Sequence, residues 1–348
     1  MTKIALLSIN SGVGGIGRYT NEVRNLIMKM DGKLKFEDIE LSNISQLGPG
    51  ITFPLKFFLK DLSGSDIIHN LSSYPIYLNR NNNILCSTIH EFQAVSHPEV
   101  NNFQDKTIKD LVWRFFVAEP SYKSALNSDY IIASSKQTVK EALDLGYSKS
   151  RLFLVNLGVD RGFLTPTINK RNDQKFRVLY LGALSPRKNV KFAINAFKKT
   201  DLSNGILELW GKNIYKKEDL AKFVGGDKRI YLKGIASEKD LCSIYDSADV
   251  FCYPSLYEGF GIPIFEAMAR GLPVIIYKNA LISDEVRRYC FEAEDESDMA
   301  NIIEDIKNNG YNNGLKKKAT EYARSFTWEK TAKKTLEVYK NISKIEGL

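Results

Sequence analysis

Short apolar runs rich in Ile, Leu and Val alternate with longer amphipathic stretches along nearly the whole chain, and this alternation restricts the fold more than any other feature. The runs lie at 3–9, 66–70, 84–89, 129–133 and 151–156, and again at 176–181, 206–210, 230–232, 250–253 and 273–277. Helical patterns at 18–30, 190–199 and 237–247 separate them. Runs this short, with little polar alternation, suit strands covered on both faces, which is the condition of a parallel sheet with crossover helices. A polar stretch without apolar period, 165–174, divides the two series. With 348 residues the chain is long enough for two cores. The expected fold class is therefore α/β in two halves, 1–168 and 169–328, followed by a terminal helix, 329–348, that carries Leu336, Val338, Tyr339 and Ile342 at near-helical spacing.

Other architectures are disfavoured. Cys86, Cys242, Cys252 and Cys290 form neither a CxxC pair nor a zinc-spaced cluster with His, so neither a disulfide framework nor a structural zinc site is expected. The apolar opening is too short for a signal-peptide core, and no run approaches the roughly 18 apolar residues that span a bilayer. These features suggest a reducing, cytoplasmic setting. The net charge of +8 (49 Lys+Arg against 41 Asp+Glu) is divided as +3 over 1–170 and +5 over 171–348. So even a spread does not indicate a nucleic-acid stripe, but it suits anionic small substrates or anionic lipid head groups.

Two segments carry chemistry. Gly12, Gly14 and Gly17 follow the first apolar run and open a helical pattern, a spacing that matches the dinucleotide fingerprint, with Glu40 where its acidic ribose partner would stand. Glycines there let the backbone approach an anion at a helix N-terminus. The second segment, EGFGIPIFEAMARGLPV at 258–274, is denser. Pro263 suits the first turn of a helix and Gly271 its left-handed end. Glu266 then projects from the helix, while Glu258 sits in the glycine loop ahead of it. A loop carboxylate beside glycine amides can hold a sugar's hydroxyls, and a helix carboxylate can accept a ribose diol.

Glu258 and Glu266, set in this string, resemble the signature of the retaining glycosyltransferases of the GT-B fold, family 4 (group 1). Tyr180 to Asn189 (YLGALSPRKN) resembles that family's strand and basic loop, Thr88-Ile89-His90-Glu91 its histidine motif, and Phe326-Thr327-Trp328-Glu329 the start of its last helix. The resemblance implies two facing Rossmann-like domains, with the nucleotide-sugar held mainly by the second and the terminal helix packing back on the first. It implies that Arg187 and Lys188 clamp the donor diphosphate, that Glu266 holds the ribose diol, and that Glu258 with Gly259, Phe260 and Gly261 holds the transferred sugar. Gly182 ends the preceding strand. His90 would touch the sugar from the first domain, and Gly14 and Gly15 would approach the phosphates. His69, ending the run at 66–68, would stand at the same cleft edge. No two aspartates are separated by a single residue, so an Asp-x-Asp metal clamp is missing and catalysis without metal is expected, with no cofactor beyond the nucleotide-sugar co-substrate.

The donor is expected to be GDP-mannose, with UDP-glucose next, and the acceptor a glycan or a lipid-linked one. Residues 51–60 and 111–116 mix aromatics with Lys or Arg. They fit either core helices with snorkelling bases or a peripheral contact with the anionic inner membrane face. Two other readings stay open. One is an NAD(P)-dependent oxidoreductase or sugar-nucleotide epimerase built on 12–17, and the other is a sugar-nucleotide-binding protein without catalysis.

Overall fold

The structure is a computed structural model that describes residues 1–9, 14–30, 34–41, 62–72, 82–97, 119–165 and 173–348. Gly12, residues 51–60 and 111–116, and most of the 165–174 stretch lie outside the described residues.

The chain divides into two compact units, one made of Met1–Gly158 with Thr327–Leu348, the other of Val159–Phe326. In the first, the described strands are β1 (Lys3–Ile9), β2 (Lys35–Leu41), β3 (Ile67–Asn70), β4 (Ile84–Ile89), β5 (Tyr130–Ala133) and β6 (Leu152–Leu154), joined by α1 (Gly15–Met30), α2 (Gln93–Ser96), α3 (Glu119–Leu126) and α4 (Lys136–Asp144). All pair in parallel in the order β2-β1-β3-β4-β5-β6. The strand order reverses between β1 and β3, so the loops after these strands open a crevice.

The second unit begins with α5 (Arg161–Leu164) and continues as β7 (Phe176–Leu181), α6 (Val190–Lys198), β8 (Gly205–Trp210), α7 (Lys217–Val224), β9 (Ile230–Gly234), α8 (Leu241–Asp246), β10 (Val250–Tyr253), α9 (Ile262–Ala269), β11 (Val274–Tyr277), α10 (Asp284–Arg287), β12 (Phe291–Ala293), α11 (Glu296–Asn309) and α12 (Asn313–Arg324). Its sheet is also parallel, in the order β12-β11-β10-β7-β8-β9, with the reversal between β7 and β10. This is the doubly wound order of nucleotide-binding folds. Val178, Tyr180, Leu207, Leu209, Val250 and Cys252 fill one core with Ile194 and Phe197 of α6, which explains why these strands read as unbroken apolar runs.

The terminal helix α13 (Trp328–Glu346) starts at Thr327, whose side chain accepts a hydrogen bond from the Lys330 amide. Trp328, Thr331, Thr335, Tyr339 and Ile342 form its buried stripe, and it packs along α1 within the first unit. The change of unit falls at Gly158, ahead of the polar stretch, because Arg270 of the second unit captures the Gly162 and Thr165 carbonyls at 2.9 Å each. The same guanidinium pairs with Asp246 at the end of α8, both side chains being fully or nearly buried.

Candidate functional site

In the second unit the loops that follow β7 and β10 stand side by side at the sheet's reversal. The β7 loop carries Arg187 and Lys188, and the β10 loop carries Glu258 to Gly261. Tyr180, buried in β7, braces the first loop by reaching the carbonyls of Ala183 (2.9 Å) and Lys188 (3.2 Å) with its hydroxyl. The Leu256 amide donates to the Arg187 carbonyl at 2.9 Å, stitching the two loops together.

Lys188 joins them chemically. Its ammonium donates to Glu258 Oε1 at 2.5 Å and to Tyr253 Oη at 2.9 Å, with side-chain exposures of only 13% for Lys188 and 7% for Glu258. Arg187 Nη1 donates to the Tyr257 carbonyl at 3.3 Å. Burial would raise the pKa of Glu258, but the charges of Lys188 and Arg187 outweigh it and hold the carboxyl below its ordinary value, so it is ionised at neutral pH. Tyr253 and Tyr180 move the other way: burial, with Glu258 nearby, pushes both well above 10 and keeps them neutral. The three charged groups sum to +1 beside the neutral hydroxyls of Tyr180 and Tyr253.

Glycine and proline shape the next turn. Gly261 caps α9 in the left-handed region (φ +83°), Pro263 stands in the first turn, and Gly271 (φ +76°) follows the helix end. A Cβ on Gly261 would lie 3.3 Å from Ile264 Cδ1 and 3.6 Å from Glu258 Cβ. Every residue of α9 is buried except Pro263, and Glu266 is held within it by Tyr245, whose hydroxyl donates to Oε2 at 2.9 Å. Thus Arg187, Lys188, Glu258 and Glu266 all belong to one unit, with Gly182 ending β7 against the Tyr253 ring. Phe260 is turned away from this group: its ring stacks on Phe265 at 4.3 Å and meets Phe326, so of Phe260 only the backbone faces the glycine turn's chemistry. Tyr245 and Tyr253 went unnoticed in the sequence because a tyrosine in an apolar run reads as core.

The first unit holds His90, Gly14 and Gly15. Gly14 and Gly15 are exposed at the start of α1. His90 follows β4 and is 8% exposed, and its carbonyl accepts from Ser134 Oγ (3.2 Å) and Thr138 Oγ1 (3.0 Å). Neither ring nitrogen has a well-formed hydrogen bond. Burial pushes its pKa down to about 4, opposed by the Leu71 backbone, so the ring is neutral. His69 departs from expectation. It is fully buried rather than at the cleft edge, because β3 continues past it to Asn70 and its ring is held inside by Tyr339 and Thr88.

The sequence pattern of the family described as "Glycosyl transferases group 1" matches residues 165–326, nearly the whole second unit. The likeness to the group 1 glycosyl transferases is carried by this domain. The relatives have transferase names. The O-antigen chain mannosyltransferase B of Escherichia coli is 30% identical over 172 residues, 47% of this chain and 45% of that protein. An uncharacterized glycosyltransferase of Methanocaldococcus jannaschii is 27% identical over 334 residues, 93% of this chain and 87% of the relative. For the first two curated relatives, the matched stretch spans about half of their own length. Among solved structures, the sucrose-phosphate synthase of Thermosynechococcus elongatus superposes with a TM-score of 0.75 at 20% identity, covering 98% of this chain and 99% of the other. The fold is the GT-B class that the motifs imply. Among its described residues, no helix is long and apolar enough to cross a membrane, and no three His, Cys, Asp or Glu side chains gather as a metal site.

Proposed function

We propose that this chain transfers a hexose from a nucleotide-sugar to a glycan or lipid-linked acceptor, with retention of anomeric configuration and without metal. The observation that carries this reading is the buried Lys188–Glu258 pair beside Arg187, at the reversal point of a nucleotide-binding sheet and within one unit with Glu266. Cleaving a glycosyl–phosphate bond builds negative charge on the leaving diphosphate, and fixed cations aimed there lower the barrier. Arg187 and Lys188 supply that charge. Each charge-assisted hydrogen bond contributes about 1.5–3 kcal/mol, so Arg187→Ala should lower kcat/KM by roughly ten- to a hundred-fold.

Glu258 accepts the sugar's hydroxyls, assisted by the Gly259 to Gly261 backbone, and Glu266 the ribose diol. Because Lys188 is bonded to Glu258 and lowers its basicity, the carboxylate is better suited to holding hydroxyls than to attacking carbon. Substitution on the face of departure, with no covalent intermediate, follows from that. His90, kept neutral by burial, is the first unit's candidate hydrogen-bonding group for the transferred sugar. GDP-mannose is the favoured donor, its mannose supported by two mannosyltransferases among the relatives, and UDP-glucose is the second. The NAD(P) and non-catalytic readings give the Arg187–Lys188–Glu258 cluster no task in chemistry.

A thermal-shift panel of nucleotide-sugars and NAD(P) tests the class and the donor together. A ligand at about a hundred times its Kd adds about 2.7 kcal/mol. Stabilisation by a nucleotide-sugar is expected, and stabilisation by NAD(P) alone would refute the reading. NMR of the product decides retention, and mass spectrometry detecting a glycosylated Glu258 would overturn the mechanism.

A further inference from the structure

Inside the first unit a line of buried polar groups runs from the terminal helix to the ring of His90. Tyr339 Oη of α13 lies 2.5 Å from His69 Nδ1, His69 Nε2 lies 2.8 Å from Thr88 Oγ1, and Thr88 Oγ1 lies 2.9 Å from Tyr19 Oη. The edge of the Tyr19 ring then meets the His90 ring at 4.7 Å with an interplanar angle of 76°. Tyr19, His69, Thr88 and Tyr339 are each essentially inaccessible to solvent. Burial lowers the pKa of His69 to about 3, so its ring is neutral and must donate from one nitrogen and accept at the other. His69 therefore links Tyr339 to Thr88, and the Thr88 hydroxyl links His69 to Tyr19. Trp328, at the other end of α13's buried stripe, also touches the Tyr19 ring, at 6.3 Å.

We infer that Tyr339, His69, Thr88 and Tyr19 form a positioning relay through which the terminal helix sets the orientation of the His90 imidazole. This rests on the reading of His90 as a sugar-contacting group, but the geometry constrains the ring whatever it contacts. The His90 carbonyl is pinned by Ser134 and Thr138, and its ring lies between the Leu71 backbone and the Tyr19 ring, so the packing of Tyr19 helps to set its direction. The Tyr19 ring in turn is held at its far end by Thr88, which His69 and Tyr339 hold. The four relay residues are buried, so they act as positioning residues through the His90 ring that Tyr19 packs against.

Thr88 provides a discriminating test, since Thr88→Val keeps the shape and removes the hydroxyl, while Thr88→Ser keeps the hydroxyl and removes a methyl. The chain has three histidines, His69, His90 and His97, so histidine-labelled protein gives three resolvable ring signals. Thr88→Val removes both the His69 and the Tyr19 bond, and the relay predicts that it moves the His90 ring signal and lowers kcat about five-fold or more at unchanged donor KM. Thr88→Ser should stay close to wild type in both. Tyr339→Phe, at the far end, should reproduce the Thr88→Val signal, and serves where Thr88→Val does not fold. If packing alone matters, the order reverses, with Ser the more damaging. That order, or an unmoved His90 signal in folded Thr88→Val and Tyr339→Phe, overturns the inference. Failure of the transferase reading would show instead as no transfer by the wild type, while the ring signals still decide the relay.

Discussion

Replacing Lys188 by Met removes one charge from a buried pair and leaves Glu258 in place. The side chains are 13% and 7% exposed, so solvent screens the pair little. Breaking such a pair costs about 3–5 kcal/mol, because the surviving charge stays desolvated. The lower end is apt here, about 3 kcal/mol, since Arg187 still faces the site. At about 2–4 °C per kcal/mol for a unit of this size, the second unit's Tm should fall by about 6–12 °C at pH 7.5. The deficit depends on pH in a defined direction. In the wild type, Glu258 titrates below its ordinary value of 4.5, so it adds stability above the unfolded pKa that is lost as pH falls through the folded one. In Lys188→Met, burial, the largest influence on this carboxyl, outweighs Arg187 and lifts the folded pKa above the unfolded one. The group then destabilises as pH rises through that window, and the loss is complete above it. Calorimetry of both proteins from pH 4 to pH 8 should show Tm curves that diverge with rising pH. Lys188→Met combined with Glu258→Gln should recover at least half of the loss at pH 7.5. Parallel curves across that range, or a double variant as unstable as the single one, would refute the argument that an uncompensated buried carboxylate is the cause.

Three further outcomes follow from other contacts. Tyr245→Phe takes one hydrogen bond from Glu266 and should weaken a nucleoside diphosphate by about two- to ten-fold in titration calorimetry, without weakening its 2′,3′-dideoxy analogue. Asp246→Asn leaves the fully buried Arg270 guanidinium without its anion and should cost about 3–5 kcal/mol in urea unfolding, less when Arg270 is replaced as well. Gly211→Ala should cost about 3 kcal/mol or more, since the new Cβ would lie 1.8 Å from the Gly182 carbonyl oxygen at φ +147°, whereas Gly226→Ala, at φ +75° in open space, should cost about 1 kcal/mol.

Most strands legible in the sequence have both faces covered, although the edge strands β6 and β9 are legible as well. The runs at 3–9, 84–89, 176–181 and 250–253 coincide with β1, β4, β7 and β10 to the residue. β12 escaped notice, and β2 entered only as the strand placing Glu40. Both are sheet edges, where KFEDIEL alternates charge with apolar side chains and FEA is too short for a pattern. The site was legible in part. Pro263, Gly261 and Gly271 act through local backbone sterics, so their roles around α9 could be read from order alone. The ring of Phe260 could not, because its direction depends on Phe265 and on Phe326, far along the chain.

Alternating hydrophobicity, turn glycines and the spacing of Glu258 and Glu266 were enough to determine the α/β class, the division into two units and the loops that bear charge. These properties depend on period and on nearest-neighbour geometry, which a linear string contains. Which charge meets which was decided by tertiary structure. Lys188 reaches Glu258 across 70 residues because β10 returns to lie beside β7, three strands later in the chain. His69 lies buried 270 residues from the tyrosine it bonds, because α13 closes back on the unit where the chain began. Neither pairing leaves a mark in the local pattern, since any strand order would have used the same apolar runs.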